Sequence, residues 1–200
     1  MASVDAAAVK KLREMTSAGI MDCKSALAEA NGDFDKAATL LREKGIASAA
    51  KKAERTAADG SIGIYVHNDG KQAALVEINC ETDFVAKTED FQQLCRDLAM
   101  QVVAMKPLYL RREDVPAEVL EAERRIYEQQ AAQEGKPEAI QSKIAEGRLN
   151  KEFYQAVCLM EQAFIKENKK TIDQLVKEAI GKLGENIQVA RFTRYKVGER

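Results

Sequence analysis

Two side chains are candidate reaction centres: Cys80, where a run of alternating apolar residues ends, and His67, the single histidine of the chain. A cysteine nucleophile needs a neighbour that stabilises its thiolate, and a histidine base needs a group to orient it. Neither has such a partner at a recognisable spacing. The four cysteines, Cys23, Cys80, Cys95 and Cys158, are widely spaced with no CxxC pair, so they and one histidine do not assemble a zinc site. There is also no GxxxxGK(S/T) phosphate loop, no GxGxxG after a strand, no GxSxG elbow and no HExxH. His67 reads as a solvated strand residue and Cys80 as a small buried hydrophobe. No metal and no cofactor is expected, and the chain does not read as an enzyme.

Residues 79–91, NCETDFVAKTEDF, depart from the regular patterns around them. The segment leaves a strand, sets Glu81 and Asp83 beside bulky Phe84, and delays the next helix until near Thr88. Spacing leaves two arrangements open. Phe84 can turn inward while Asp83 makes a local turn. Alternatively, Phe84 stands out as an aromatic knob on a loop, the kind of side chain that anchors protein interfaces.

The elements that must position this segment are legible from periodicity. Val9, Leu12 and Met15 recur at helical spacing until Ser17-Ala18-Gly19 interrupts them. Asp22 is expected to cap a second helix over CKSALAEA, which stops at Asn31-Gly32. A third begins near Asp33, presents Phe34, Ala37, Leu40 and Leu41 on one side, and is expected to close at Gly45. Residues 46–60, IASAAKKAERTAADG, contain good helix formers but little to bury, and read as a linker.

The period then changes to two. Ile62, Ile64 and Val66 alternate up to Asn68-Asp69-Gly70, and Ala74, Val76 and Ile78 alternate after it, giving a β-hairpin. Thr88 caps a helix carrying Phe91, Leu94, Cys95, Leu98, Val102 and Met105 that stops before Pro107. Pro116 and Pro137 each open a further helix. Thr171 and Gln174 have capping-box spacing ahead of Ile172, Leu175, Val176, Ala179, Ile180 and Leu183, and Gly184 ends that helix. A strand over residues 187–197 is expected to join the hairpin. The fold class is therefore α+β: a three-helix module with the start of the linker over residues 1–54, then a core over residues 55–200 with a three-stranded antiparallel sheet and flanking helices.

Composition narrows the partners. A formal net charge of −1 with 32% charged residues gives a surface dense in both signs, with no overall pull toward nucleic acid or membrane. The opening MASVDAAAVKKLREM has no apolar run of signal-peptide length, and nothing later approaches a membrane span. Scattered free thiols fit a reducing compartment, so a soluble cytoplasmic protein is expected.

TSAGIMDCKSALAEANGDFDKA, AAKKA with AADG, and VEINCETDFVAK together resemble the N-terminal half of the elongation factor Ts family. GKPEAIQSKIAEGRLNKEF, LMEQAFIKENKKTIDQLVKE and the closing VARFTRYKVGE are similar to the family's C-terminal pattern. Residues 106–134 lie roughly outside the resemblance. It implies a ubiquitin-associated-like N-terminal module on an α+β core, and a guanine-nucleotide exchange factor for the GTPase EF-Tu. By the same resemblance, Thr82, Asp83, Phe84 and Val85 form the loop that reaches the nucleotide domain of EF-Tu. Phe84 would wedge into an apolar pocket there, while Asp83 helps to disturb the magnesium and phosphate site until GDP leaves. Leu12, Ile20, Met21 and Lys24 match the family's N-terminal contact patch, with a core position the alternative for Leu12. Long members carry a second core subdomain and a coiled-coil insertion, whereas this chain has room for one core unit. A homodimer is expected to supply the missing surface. Two rivals are a peptide-binding adaptor built on residues 1–45 and a thiol enzyme built on Cys80.

Overall fold

The computed structural model describes residues 5–16 and 18–199. Ser17, expected in the first chain break, lies outside them. The helices α1 (Ala6–Thr16), α2 (Ile20–Glu29) and α3 (Phe34–Lys52) each turn one apolar stripe inward, and Val9, Leu12, Cys23, Ala26, Leu27, Ala37 and Leu41 close a small core between them. The third helix begins near Asp33 as expected, and Asp33 caps it, its carboxylate accepting the N–H groups of Asp35 and Lys36 at 3.0 Å each. Asp22 does not cap α2. That helix starts three residues earlier with Gly19 in the cap position, which places Asp22 in the first turn, where a carboxylate favours the helix dipole.

Along the core, β1 (Asp59–Val66) and β2 (Gln72–Cys80) form the expected hairpin. A short helix α4 (Asp83–Ala86), absent from the sequence expectation, precedes α5 (Glu89–Met105). Thr88 caps α5 as expected, its hydroxyl accepting the Phe91 N–H at 3.3 Å. Then come α6 (Ala117–Gln133) and α7 (Glu138–Arg148), which pair as a helical hairpin over Tyr127, Ala145 and Leu149. Ion pairs Arg124–Glu146 and Arg148–Glu134, at 2.8 and 2.6 Å, lace its surface. A π-turn over Leu149–Phe153 leads into α8 (Tyr154–Val157), and a second small hairpin, β3 (Ala163–Phe164) with β4 (Glu167–Thr171), was not anticipated. The chain ends through α9 (Ile172–Leu183) and β5 (Gln188–Lys196). The larger sheet has the order β1-β2-β5, as the expected third strand requires.

Two compact units divide the chain. One comprises residues 1–61, 78–94 and 174–190, and the other residues 62–77, 95–173 and 191–200. In the first unit, the expectation that the third helix closes at Gly45 is corrected: α3 runs on to Lys52. Gly45 is the point where α9 approaches, and a Cβ built on Gly181 would stand 3.0 Å from the Gly45 Cα. A glycine pair is what lets two helix backbones come this close. Farther along, Ala49 is buried, Lys52 Nζ donates to the Ile180 carbonyl at 3.4 Å, and Arg42 pairs with Glu178 at 3.2 Å. Residues 46–52 are thus docked helix, and residues 53–58, exposed except for half-buried Ala57, connect it to β1 without helix or strand. Limited proteolysis is expected to cut within residues 53–58 and spare residues 47–52. Equal protection of both segments would argue against a separable module over residues 1–54.

Candidate functional site

The exposed aromatic sits on a segment with no room for self-sufficient structure. After β2 buries Ala74, Val76, Ile78 and Cys80, the chain emerges at Glu81 and turns through Thr82 into the four residues of α4. A helix this short does not persist alone, so its geometry must come from caps and neighbours. Thr82 supplies the N-cap, its hydroxyl accepting the Val85 N–H at 3.4 Å. Ala86 alone of α4 turns fully inward. Phe84 turns outward and is 80% exposed, the most exposed large apolar side chain among the described residues. The inward arrangement is thereby excluded.

Asp83 beside it is half-buried, and Lys87 Nζ reaches its Oδ2 at 2.5 Å. That ammonium, one turn along, holds the Asp83 carboxyl below the usual carboxylate range. Asp83 is therefore an anion at neutral pH, and it presents one charge next to one aromatic face. Val85 is half-buried and fixes the far side of the turn.

Behind the loop, Glu185 follows the end of α9. Its Oε2 accepts the backbone N–H groups of Glu81 and Thr82 at 3.0 Å each, and its Oε1 accepts the Thr82 hydroxyl at 2.6 Å. In return, Glu81 Oε1 accepts the Asn186 N–H at 2.7 Å and faces Arg55 Nη1 at 3.5 Å. Asn186, itself buried, donates to the carbonyls of Ala53 and Arg55. The sequence reading did not find Glu185 or Asn186, because no local pattern ties them to a loop so distant along the chain.

The N-terminal patch separates into two kinds of residue. Ile20, Met21 and Lys24 are exposed on α2, Met21 at 74%, and exposed Met15 on α1 adds to the apolar surface of the same module. Leu12 does not belong to that surface. It is 0% exposed inside the three-helix core, and a fully buried side chain offers nothing to a partner.

The reaction-centre candidates are placed otherwise. Cys80 is buried, and its thiol donates to the Thr82 carbonyl at 3.1 Å. Burial, and after it the charge of Glu185, pushes the Cys80 thiol up, away from the thiolate that nucleophilic chemistry needs. His67 lies exposed at the hairpin turn with Nδ1 3.3 Å from the Tyr65 hydroxyl. Among the described residues no group of three His, Cys, Asp or Glu side chains is arranged to hold a metal ion, and no helix is long and apolar enough to cross a membrane.

A rigidly braced loop that offers one aromatic face and one carboxylate to solvent has the form of a protein-binding site. The family model described as Elongation factor TS matches residues 2–199. The elongation factor Ts of Desulforamulus reducens is 56% identical over 199 residues, covering 100% of this chain and 91% of that relative. That of Moorella thermoacetica is 57% identical over 196 residues, covering 98% and 96%, and that of Thermotoga maritima 58% identical over 191 residues, covering 96% and 94%. The chain belongs to the elongation factor Ts family and is a translation elongation factor by that membership. These relatives are of nearly its own length.

Proposed function

We propose that the chain is a guanine-nucleotide exchange factor for EF-Tu, acting by binding rather than by covalent catalysis. The observation that carries this is Phe84, held outward on a braced turn with the anionic Asp83 beside it. The loop Thr82-Asp83-Phe84-Val85 enters the nucleotide domain of EF-Tu, where Phe84 fills an apolar pocket. Asp83 helps to rearrange the surrounding helices, so the magnesium and phosphate contacts that hold GDP are lost. Ile20, Met21 and Lys24 form a second contact, and Leu12 serves the module's core. The chain works in the cytoplasm and makes no direct contact with nucleic acid.

Exchange by this route is a linkage effect. The factor expels GDP only by binding the empty GTPase more tightly than the loaded one, and GDP weakens the factor by the same ratio. Titrating EF-Tu with the chain in the presence and absence of GDP tests this. Affinity should fall steeply as GDP is added; equal affinity in both conditions would rule exchange out.

We further propose a homodimer through the larger sheet. On β1, Gly63 lies against α5, so Ile62, Ile64 and Val66, alternating with it, face away from that helix. All three are exposed, as are Leu75 on β2 and Tyr195 on β5. An apolar strand row of this kind is an association surface rather than an ordinary solvent face. Light scattering at micromolar protein should give the dimer mass, and Ile64→Lys should return it to the monomer without lowering the melt. A monomer mass throughout with full exchange would show that the second copy is unnecessary.

A further inference from the structure

We infer that Glu185 is a positioning residue for exchange: it sets the conformation in which Phe84 is presented, although it lies at the end of α9 and its carboxylate is engaged by the loop itself. The inference rests on the exchange function proposed above. Three donors of the loop converge on this one side chain, the N–H groups of Glu81 and Thr82 on Oε2 and the Thr82 hydroxyl on Oε1. Hydrogen bonds to an ionised acceptor are the stronger kind, and two of these fix backbone rather than a rotatable side chain. The third fixes a proton. With its hydrogen committed to Glu185, the Thr82 hydroxyl has lone pairs left for the Val85 N–H, the N-cap bond of α4. Glu185 therefore organises the turn of α4 that carries Phe84, through Thr82.

The brace is itself anchored. Gly184, at a φ of +81°, ends α9 and turns the chain so that Glu185 and Asn186 meet the loop. The Asn186 N–H then binds Glu81, and the Asn186 amide ties the turn to the carbonyls of Ala53 and Arg55. Backbone and side chain thus cross twice between Glu81-Thr82 and Glu185-Asn186. Without this clasp a four-residue helix samples many arrangements, and a partner that accepts one of them must bear the cost of ordering it.

The test is a double-substitution cycle read as GDP release from EF-Tu. Glu185→Ala should lower exchange efficiency by about tenfold, and Glu185→Gln, which keeps an acceptor oxygen for the two amides, by about twofold to threefold. In a Phe84→Leu background, which leaves a measurable rate, Glu185→Ala should lose less than about twofold further, because the group it positions is already impaired. Amide hydrogen exchange at Thr82 and Val85 should quicken in Glu185→Ala while β2 and α9 keep their protection. If Glu185→Ala fails to fold, Thr82→Val, an exposed and nearly isosteric change, carries the same cycle. Fully additive losses, or a Glu185→Ala protein with wild-type exchange, would overturn the positioning role and leave the Phe84 loop standing. A wild-type chain that does not accelerate GDP release, or a Phe84→Leu chain as active as wild type, would instead remove the function on which it rests.

Discussion

Phe84→Ala is expected to lower the efficiency with which the chain releases GDP from EF-Tu by about tenfold or more, with an unchanged thermal melt. The two halves of that expectation have separate causes. A side chain that is 80% exposed in the free protein contributes little to folding, so its truncation should move stability by no more than about 0.5 kcal/mol. In the complex the same ring is hypothesised to be buried in an apolar pocket, and truncating an interface aromatic costs about 2 kcal/mol or more. Only binding energy realised with the empty GTPase, and not with the GDP-bound one, accelerates release. Asp83→Ala should act in the same direction but more mildly. Melts and release kinetics on one preparation decide the matter: normal exchange with a normal melt would eliminate the knob, and a collapsed melt would place Phe84 in the fold.

Gly63→Ala is expected to destabilise the protein by about 3 kcal/mol or more and to lower Tm by roughly 10 °C. The added Cβ would lie 2.2 Å from the carbonyl oxygen of Cys95 and 2.6 Å from its carbonyl carbon. Those atoms are backbone of α5, so no rotamer change relieves the clash, and strand and helix must separate. Separation opens the layer in which Ala74 and Val76 of β2 and Leu98 and Val102 of α5 are buried. Urea unfolding measures the loss, and a midpoint equal to that of the parent would contradict so close a packing of β1 on α5.

Much of this architecture could be read from residue types alone where the cause is local. Asp33 and Thr88 cap helices because a side-chain oxygen two or three residues ahead of free amides does so wherever it occurs. Asn31 and Gly32, at φ values of 52° and 85°, end α2 for an equally local reason, and the hairpin turn at Asn68-Asp69-Gly70 is likewise its own signal. Misreadings arose where the cause is distant. Gly45 looks like a helix stop, but it is a contact point for Gly181, and only the fold brings the two together. The four residues of α4 and the two of β3 are too short to show any period. Asp22 looks like a cap because the break in periodicity places the start of α2 three residues late.

The candidate site divides in the same way. Spacing marked residues 79–91 as irregular but could not say whether Phe84 faces in or out; that depends on Ala86 taking the inward position of α4 and on Glu185 holding the turn. Ile20 and Met21 on α2 are apolar and exposed, and the resemblance rather than their spacing marks them as a contact patch. Leu12, at helical spacing with Val9, follows its periodicity into the core.

The central claim is that this chain empties the nucleotide site of EF-Tu, and dissociation of labelled GDP from EF-Tu tests it most directly. With excess unlabelled GDP as a trap, the release rate should rise with the concentration of the chain and then saturate, since exchange proceeds through a ternary complex. A release rate unchanged at every concentration of folded chain would contradict the account.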